Sequence, residues 1–232
     1  MFLCVVLSTQ GQSTLDLAGG IGLSGPMLST SYQFHPKWSV GSSVSYLHLK
    51  GATQTILSGQ SVNINAFLNF VQVGFFGKYH PMVKYDSHEF GKKSFFISRN
   101  SFYLKSGVFL RNKPVLSISS TFSEPLKVGD LTLTPDQTGK VDVFLMTGNI
   151  MAYAGMGLTL TTPIKRFKIG MEVGSFYHGK PKVVMEASGA LQHNSRNQEQ
   201  LQRNLSFIQI LPQIQIDFIY QLKKFKSNQI FK

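Results

Sequence analysis

Cysteine is almost missing from this chain: Cys4 is the only one in 232 residues. It sits in the apolar run 2–7, ahead of the polar residues 8–12. That run reads as the end of a secretory signal peptide whose basic start is absent. Removal near Gln12 would leave a mature chain with no thiol, which excludes disulfides as a source of stability and leaves export to an oxidising compartment open. Val5 and Val6, directly after Cys4, argue against a lipobox. Charge is also scarce, at 15% Asp, Glu, Lys and Arg against about 25% in an ordinary soluble domain. No apolar run approaches the roughly 18–20 residues of a membrane-spanning helix, so a helical membrane protein is excluded. Acids are the scarcest charged group: 11 against 23 Lys and Arg give a net charge of +12. The basic residues are scattered and form no stripe interleaved with aromatics, so a nucleic-acid partner is excluded. Basic residues near a surface of anionic lipid head groups contribute about 1 kcal/mol each; solvated loop lysines are the plain alternative.

What remains is rich in Phe (19), Tyr (8) and Gly (21), and it alternates. In residues 166–178, Phe167, Ile169, Met171, Val173 and Tyr177 alternate with Lys168, Gly170, Glu172, Gly174 and Phe176, the period of a β-strand. The same pattern runs from Leu15 to Leu23, from Leu28 to Phe34, from Trp38 to Tyr46, from Phe67 to Tyr79, from Phe102 to Leu110 and from Ile214 to Leu222. Residues 115–122, 149–162 and 183–187 are further strands. Residues 51–65 read as a polar loop, 80–93 as irregular, and 124–148 as strands or a folded loop. Leu201, Leu205 and Ile208 recur at helical spacing, with Ser195 as a cap, so a short amphipathic helix is expected within 195–208.

Alternation alone also fits a soluble barrel turned inside out. The polar face separates the two. It carries glycine and balanced charge, in Asp16, Lys105, Lys168, Glu172, Lys182, Glu186 and Asp217, where a solvated face would carry many more Lys and Glu. Those seven are expected to form a charge network in a lumen. Tyr32, Phe34, Trp38, Tyr79, Tyr177 and Tyr220 fall near strand ends, where an aromatic belt meets a membrane interface. The fold expected is therefore all-β: a transmembrane, antiparallel, up-and-down β-barrel of about ten strands, eight or twelve being the neighbouring even counts. Its divisions would be a signal remnant at 1–12, a barrel at 13–225 and a basic tail at 226–232.

Residues 19–26 (GGIGLSGP), 153–157 (YAGMG) and 174–181 (GSFYHGKP), with a closing strand of alternating aromatics, resemble the small outer-membrane β-barrel proteins common in Bacteroidota and other Gram-negative bacteria. The resemblance implies an outer-membrane location and a closing strand read by the barrel-insertion machinery. This chain departs from the pattern by running on through residues 223–232, which leaves Leu222 or Phe225 where a terminal aromatic would stand.

Little in the sequence carries chemistry. His193, Asn194 and Ser195 are vaguely similar to a lipid A deacylase's histidine and serine, yet three polar loop residues are commonplace. His35, His48, His80 and His88 lack zinc-ligand spacing, and no phosphate-binding glycine loop opens a helix. No enzyme, metal or cofactor is expected. A lumen of eight to ten strands is narrow and side chains fill it. The expectation is a plugged, non-enzymatic barrel, a structural or accessory subunit of a cell-envelope complex. Its partners would be outer-membrane lipid, lipopolysaccharide and other outer-membrane proteins. A small-solute or ion channel and a lipid-modifying enzyme are the alternatives.

Overall fold

The computed structural model describes residues 13–57, 60–81, 102–112, 115–128, 131–164 and 166–225. The signal remnant at 1–12, the tail at 226–232 and most of the segment at 80–93 lie outside the described residues. In order, the elements are β1 (Ser13–Gly22), β2 (Gly25–His35), β3 (Trp38–Leu57), β4 (Gln60–Tyr79), β5 (Phe102–Arg111), β6 (Val115–Phe122), β7 (Leu126–Val128), β8 (Leu131–Leu133), α1 (Pro135–Thr138), β9 (Lys140–Met146), β10 (Ile150–Thr161), β11 (Phe167–Tyr177), β12 (Lys182–Ala187), a 3-10 stretch (Gly189–Asn197), α2 (Gln198–Leu205) and β13 (Ile210–Phe225). Apart from the small β7–β8 pair, all strands belong to one antiparallel sheet of eleven.

Eight of the eleven close on themselves. Each of β1, β2, β3, β4, β5, β10, β11 and β13 pairs with the next, and β13 returns to β1. The closing seam runs from Ser13 against Phe225 to Gly22 against Gln215. Closure leaves no sheet edge inside the ring, the condition for a sheet to cross hydrocarbon. Leu17, Ile21, Leu28, Phe75, Val108, Met156, Val173, Ile216 and Phe218 are exposed on its outside. Ala18, Met27, Tyr103, Lys105, Phe109, Glu172 and Asp217 are buried inside. Alternation written in the sequence thus becomes an apolar outer wall and a packed interior.

The remaining strands build outward from one mouth. β3 and β4 pair continuously up to Leu57 and Gln60, so residues 51–57 and 60–65 are strand rather than the polar loop expected. These residues lie beyond the apolar wall, where their two faces no longer differ enough to imprint a period of two. β4 changes partner midway: Gln72 to Tyr79 pair with β5, while Val62 to Asn69 pair with β6. Asn112 holds the fork, its N–H donating to the Val71 carbonyl at 3.1 Å and its side-chain oxygen accepting from the Val71 N–H at 2.8 Å. β9 and β12 follow β6, giving an outer sheet that shares β3 and β4 with the barrel.

The free edge of β12 is covered. Gln202 accepts from the Val183 N–H at 2.7 Å, and Gln198 accepts from the Met185 N–H at 2.9 Å. The helix expected near 195–208 is therefore a cover for a strand edge, a recurrent way of preventing edge-to-edge association. At this mouth β1 turns into β2 through Leu23 and Ser24. Gly25 there has a φ of +87°, and a Cβ on it would fall 2.1 Å from the Tyr46 carbonyl oxygen. Both chain ends of the barrel, Ser13 and Phe225, lie at the opposite mouth, with the short turn at 36–37 and the connections from β4 to β5 and from β10 to β11. In barrels of this class the longer connections face outward, here the β3–β4 extension and the segments that build the outer sheet.

The outward position of Ile216 yields a test. Ile216→Arg should destabilise the protein in phospholipid vesicles by about 2–4 kcal/mol, against about 0–1 kcal/mol for Leu222→Arg near the rim. Urea unfolding of the refolded variants measures both.

Candidate functional site

The interior is organised in layers along the barrel axis. Nearest the chain ends is a chamber of about 120 Å³ lined by Asp16, Lys78, His80, Tyr103, Lys168 and Asp217, among others. Asp217 accepts from the Gln215 amide at 2.6 Å. One oxygen each of Asp16 and Asp217 is buried without a partner among the described residues.

Above the chamber stands Glu172, 1% exposed. Its Oε1 accepts from the Lys105 ammonium at 2.8 Å and the Tyr153 hydroxyl at 2.7 Å, and its Oε2 accepts from the Tyr103 hydroxyl at 2.9 Å. Lys105 also lies 4.5 Å from the centre of the Phe76 ring, and Lys78 lies 4.5 Å from that of Tyr103. Strand β4 supplies Phe76 and Lys78, and β5, β10 and β11 supply the rest, with registers that align Tyr103 with Gly157 and Gly157 with Glu172.

An aromatic layer closes the barrel next. The Phe109, Tyr153 and Phe176 rings have centroids 4.7–5.6 Å apart and pack with Phe76 and Met151. Glycines on neighbouring strands give the rings room. A Cβ on Gly74 would fall 2.1 Å from the Phe109 ring, and one on Gly174 would fall 2.3 Å from the Tyr153 hydroxyl. Beyond the layer, Arg111 donates through Nε and Nη2 to the Gln72 side-chain oxygen at 3.2 and 2.7 Å, and Gln213 donates to Ser24 at 3.0 Å.

Of the seven expected lumen charges, five face the interior of the ring. Lys105 and Glu172 pair directly, and Asp16, Lys168 and Asp217 share the lower chamber. Lys182 and Glu186 do not join them. They are exposed on β12, which belongs to the outer sheet and not to the ring. A one-sided sheet alternates like a barrel wall, so the sequence pattern could not separate the two. The interior groups not anticipated were Lys78, Tyr103, Tyr153, Gln72 and Arg111. Strand parity marks them all as inward, because each is an even number of residues from an inward neighbour.

Trp38 packs against Tyr79 at the chain-end mouth, ring centroids 4.7 Å apart and planes tilted by 41°. Tyr32, Phe34 and Tyr220 lie toward the same end, and Tyr177 closes β11 at the other. His193 is exposed, and the Ser195 hydroxyl donates to the Gln192 carbonyl at 2.9 Å.

A closed antiparallel ring with an apolar outside and charged, hydrogen-bonded groups inside is the architecture of a transmembrane β-barrel. No family model matches the sequence, and no curated protein is similar to it. Solved structures share the fold, among them two from Acinetobacter baumannii. Acinetobacter baumannii CarO superposes with a TM-score of 0.60 at 14% identity, over 90% of this chain and 98% of its own. Acinetobacter baumannii CarO2 gives 0.59 at 13%, over 91% and 100%.

Glu172 is the group whose loss should matter most. Glu172→Gln leaves the Lys105 ammonium buried without its counter-ion and should cost about 3–5 kcal/mol. In a double-mutant cycle with Lys105→Met, the second substitution should restore part of that loss. Urea midpoints of the four proteins refolded into detergent micelles give the coupling.

Proposed function

We propose that the protein works as a closed barrel: a non-enzymatic outer-membrane anchor that carries a sheet on its outward mouth and serves as an accessory subunit of a cell-envelope complex. The observation that supports this is the filled interior. Glu172 already accepts three hydrogen bonds, and Phe76, Phe109, Tyr153 and Phe176 pack across the ring above it. With eight strands the lumen is just wide enough for side chains to fill. Opening a path would mean separating Lys105 from Glu172 in a setting where unpaired charge is costly.

The outer sheet supports the accessory role. It extends β3 and β4 well past the ring, and α2 covers the β12 edge, so residues outside the membrane are folded into a surface and not left as loops. Neighbouring outer-membrane proteins and lipopolysaccharide are the partners of that surface. The rival reading with something in its favour is a small-solute channel, because polar groups lie on both sides of the aromatic layer.

Planar bilayers decide between them. Purified protein should show no stable conductance, whereas Phe109→Ala combined with Phe176→Ala should produce leak currents. Steady ion-selective openings from the unaltered protein would overturn the closed-barrel reading. Extraction from native membranes in mild detergent tests the accessory role: stoichiometric companions are expected, and a lone species near 25.8 kDa plus detergent would count against it.

A further inference from the structure

Between the aromatic layer and the outer sheet lies a second cavity, of about 310 Å³. Its walls come from the barrel mouth and the outer sheet together: Leu23, Leu47, Leu68, Leu116, Leu145 and Leu211. Arg111 lies among them, 6% exposed. A buried guanidinium ordinarily sits against a carboxylate, since an unpaired buried charge is expensive. Arg111 has none: among the described residues its only hydrogen-bond acceptor is the neutral Gln72 oxygen, engaged by Nε and Nη2. The Phe70 ring, 4.1 Å from its Cζ, and the Phe176 ring at 6.0 Å stabilise the cation without neutralising it. Five N–H donors belong to a guanidinium, and the Nη1 pair has no partner among the described residues. Thr147, which also lines the cavity, has a hydroxyl without a partner there.

Six leucines and one uncompensated cation describe a ligand with an aliphatic body and a single negative charge. We propose that this cavity binds one aliphatic monocarboxylate, its chain among the leucines and its carboxylate on Arg111. Guanidinium is well shaped for a carboxylate, and charge-assisted hydrogen bonds of this kind are strong. One cation balances a monoanion, while a phosphate dianion would bring a surplus buried charge. At ~30 Å³ per methylene-sized group, a water's share of liquid volume, the cavity holds about ten such groups, so acids of about eight to ten carbons fit. It lies at the low end of small-molecule sites, about 300–1,000 Å³. The aromatic layer is its floor, which makes it a cul-de-sac open to the outer side; the proposal stands whether or not the barrel conducts.

The test uses the full chain in amphipol and decanoate labelled with ¹³C at the carboxyl, whose resonance separates a protein-bound carboxylate from one dissolved in surfactant. One saturable bound resonance is expected for the unaltered protein. Arg111→Met should weaken binding about ten- to a hundredfold, the range of a charge-assisted hydrogen bond. Leu145→Trp, whose indole takes up part of the chain space and leaves Arg111 in place, should weaken binding of decanoate. Unlabelled decanol and decyl phosphate should each displace the labelled acid less well than unlabelled decanoate does. Absence of a saturable resonance, equal affinity in Arg111→Met, or stronger displacement by the alcohol or the phosphate would overturn the proposal. Should Arg111→Met fail to show the heat-modifiable mobility of a folded barrel, Leu145→Trp decides: unchanged affinity for decanoate there overturns the site.

Discussion

Backbone hydrogen bonding in hydrocarbon is the constraint on which this molecule is built. An open sheet would leave a row of N–H and C=O groups unpaired, so the sheet must close. It closes here by pairing β13 with β1 along the whole of β1. Closing with eight strands fixes a narrow interior, and that interior dictates which residues can stand inward. Rings as large as Tyr103, Phe109 and Tyr153 fit only because Gly157, Gly74 and Gly174 face them from adjacent strands, and because Gly155, on the same strand as Tyr153, leaves its ring room. The glycine abundance of the chain is a packing requirement of the narrow ring.

The same narrowness explains the chemistry around Glu172. A carboxylate cut off from water must recover its hydration from the protein, and three donors do so: one ammonium and two phenols. A second ammonium in place of a tyrosine would overcompensate the charge. The phenols stabilise the carboxylate without adding to the positive total, and their rings belong to the packing around it. Ion pair and aromatic layer are therefore one structure, since the Tyr153 hydroxyl binds Glu172 while its ring packs on Phe109 and Phe176. Buried ion pairs are weak evidence for stability on their own; here the pair sits at the position where the lumen would otherwise be open.

Much of the ring could be read in residue order. Leu15 to Leu23, Phe102 to Leu110, Phe167 to Tyr177 and Ile214 to Leu222 alternate because each strand has lipid on one side and packed interior on the other, and their faces fall as parity requires. The outer sheet was not legible for the complementary reason. Residues 51–57 and 60–65 leave the bilayer, so neither face is forced to be apolar and the period fades. Lys182 and Glu186 alternate with Val183 and Met185 as a wall strand would, but β12 pairs with β9 and not with a ring strand. Which strand joins the ring is settled where β4 exchanges β5 for β6, a choice among partners distant in sequence. The Glu172 cluster lay between these extremes. Its charged members stood out, while Tyr103, Tyr153 and Arg111 were marked only by parity.

Polarity along the inward faces changes in one direction. On β4 the inward residues run Lys78, Phe76, Gly74, Gln72, Phe70 and Leu68 from the chain-end mouth to the outer one, and on β13 they run Asp217, Gln215, Gln213 and Leu211. Charge is confined to the lower half, aromatic rings close the middle, and leucine lines the top. Arg111 interrupts this order, since it lies one step beyond Phe109 toward the apolar end. A lysine at that position could extend a flexible stem toward water. The guanidinium instead lies against Phe70 and donates to Gln72, and its position is fixed from two sides. The exception therefore occurs where the barrel stops being a membrane wall and begins to support the sheet above it, and the geometry that extends β3 and β4 is also what encloses an apolar space around a charge.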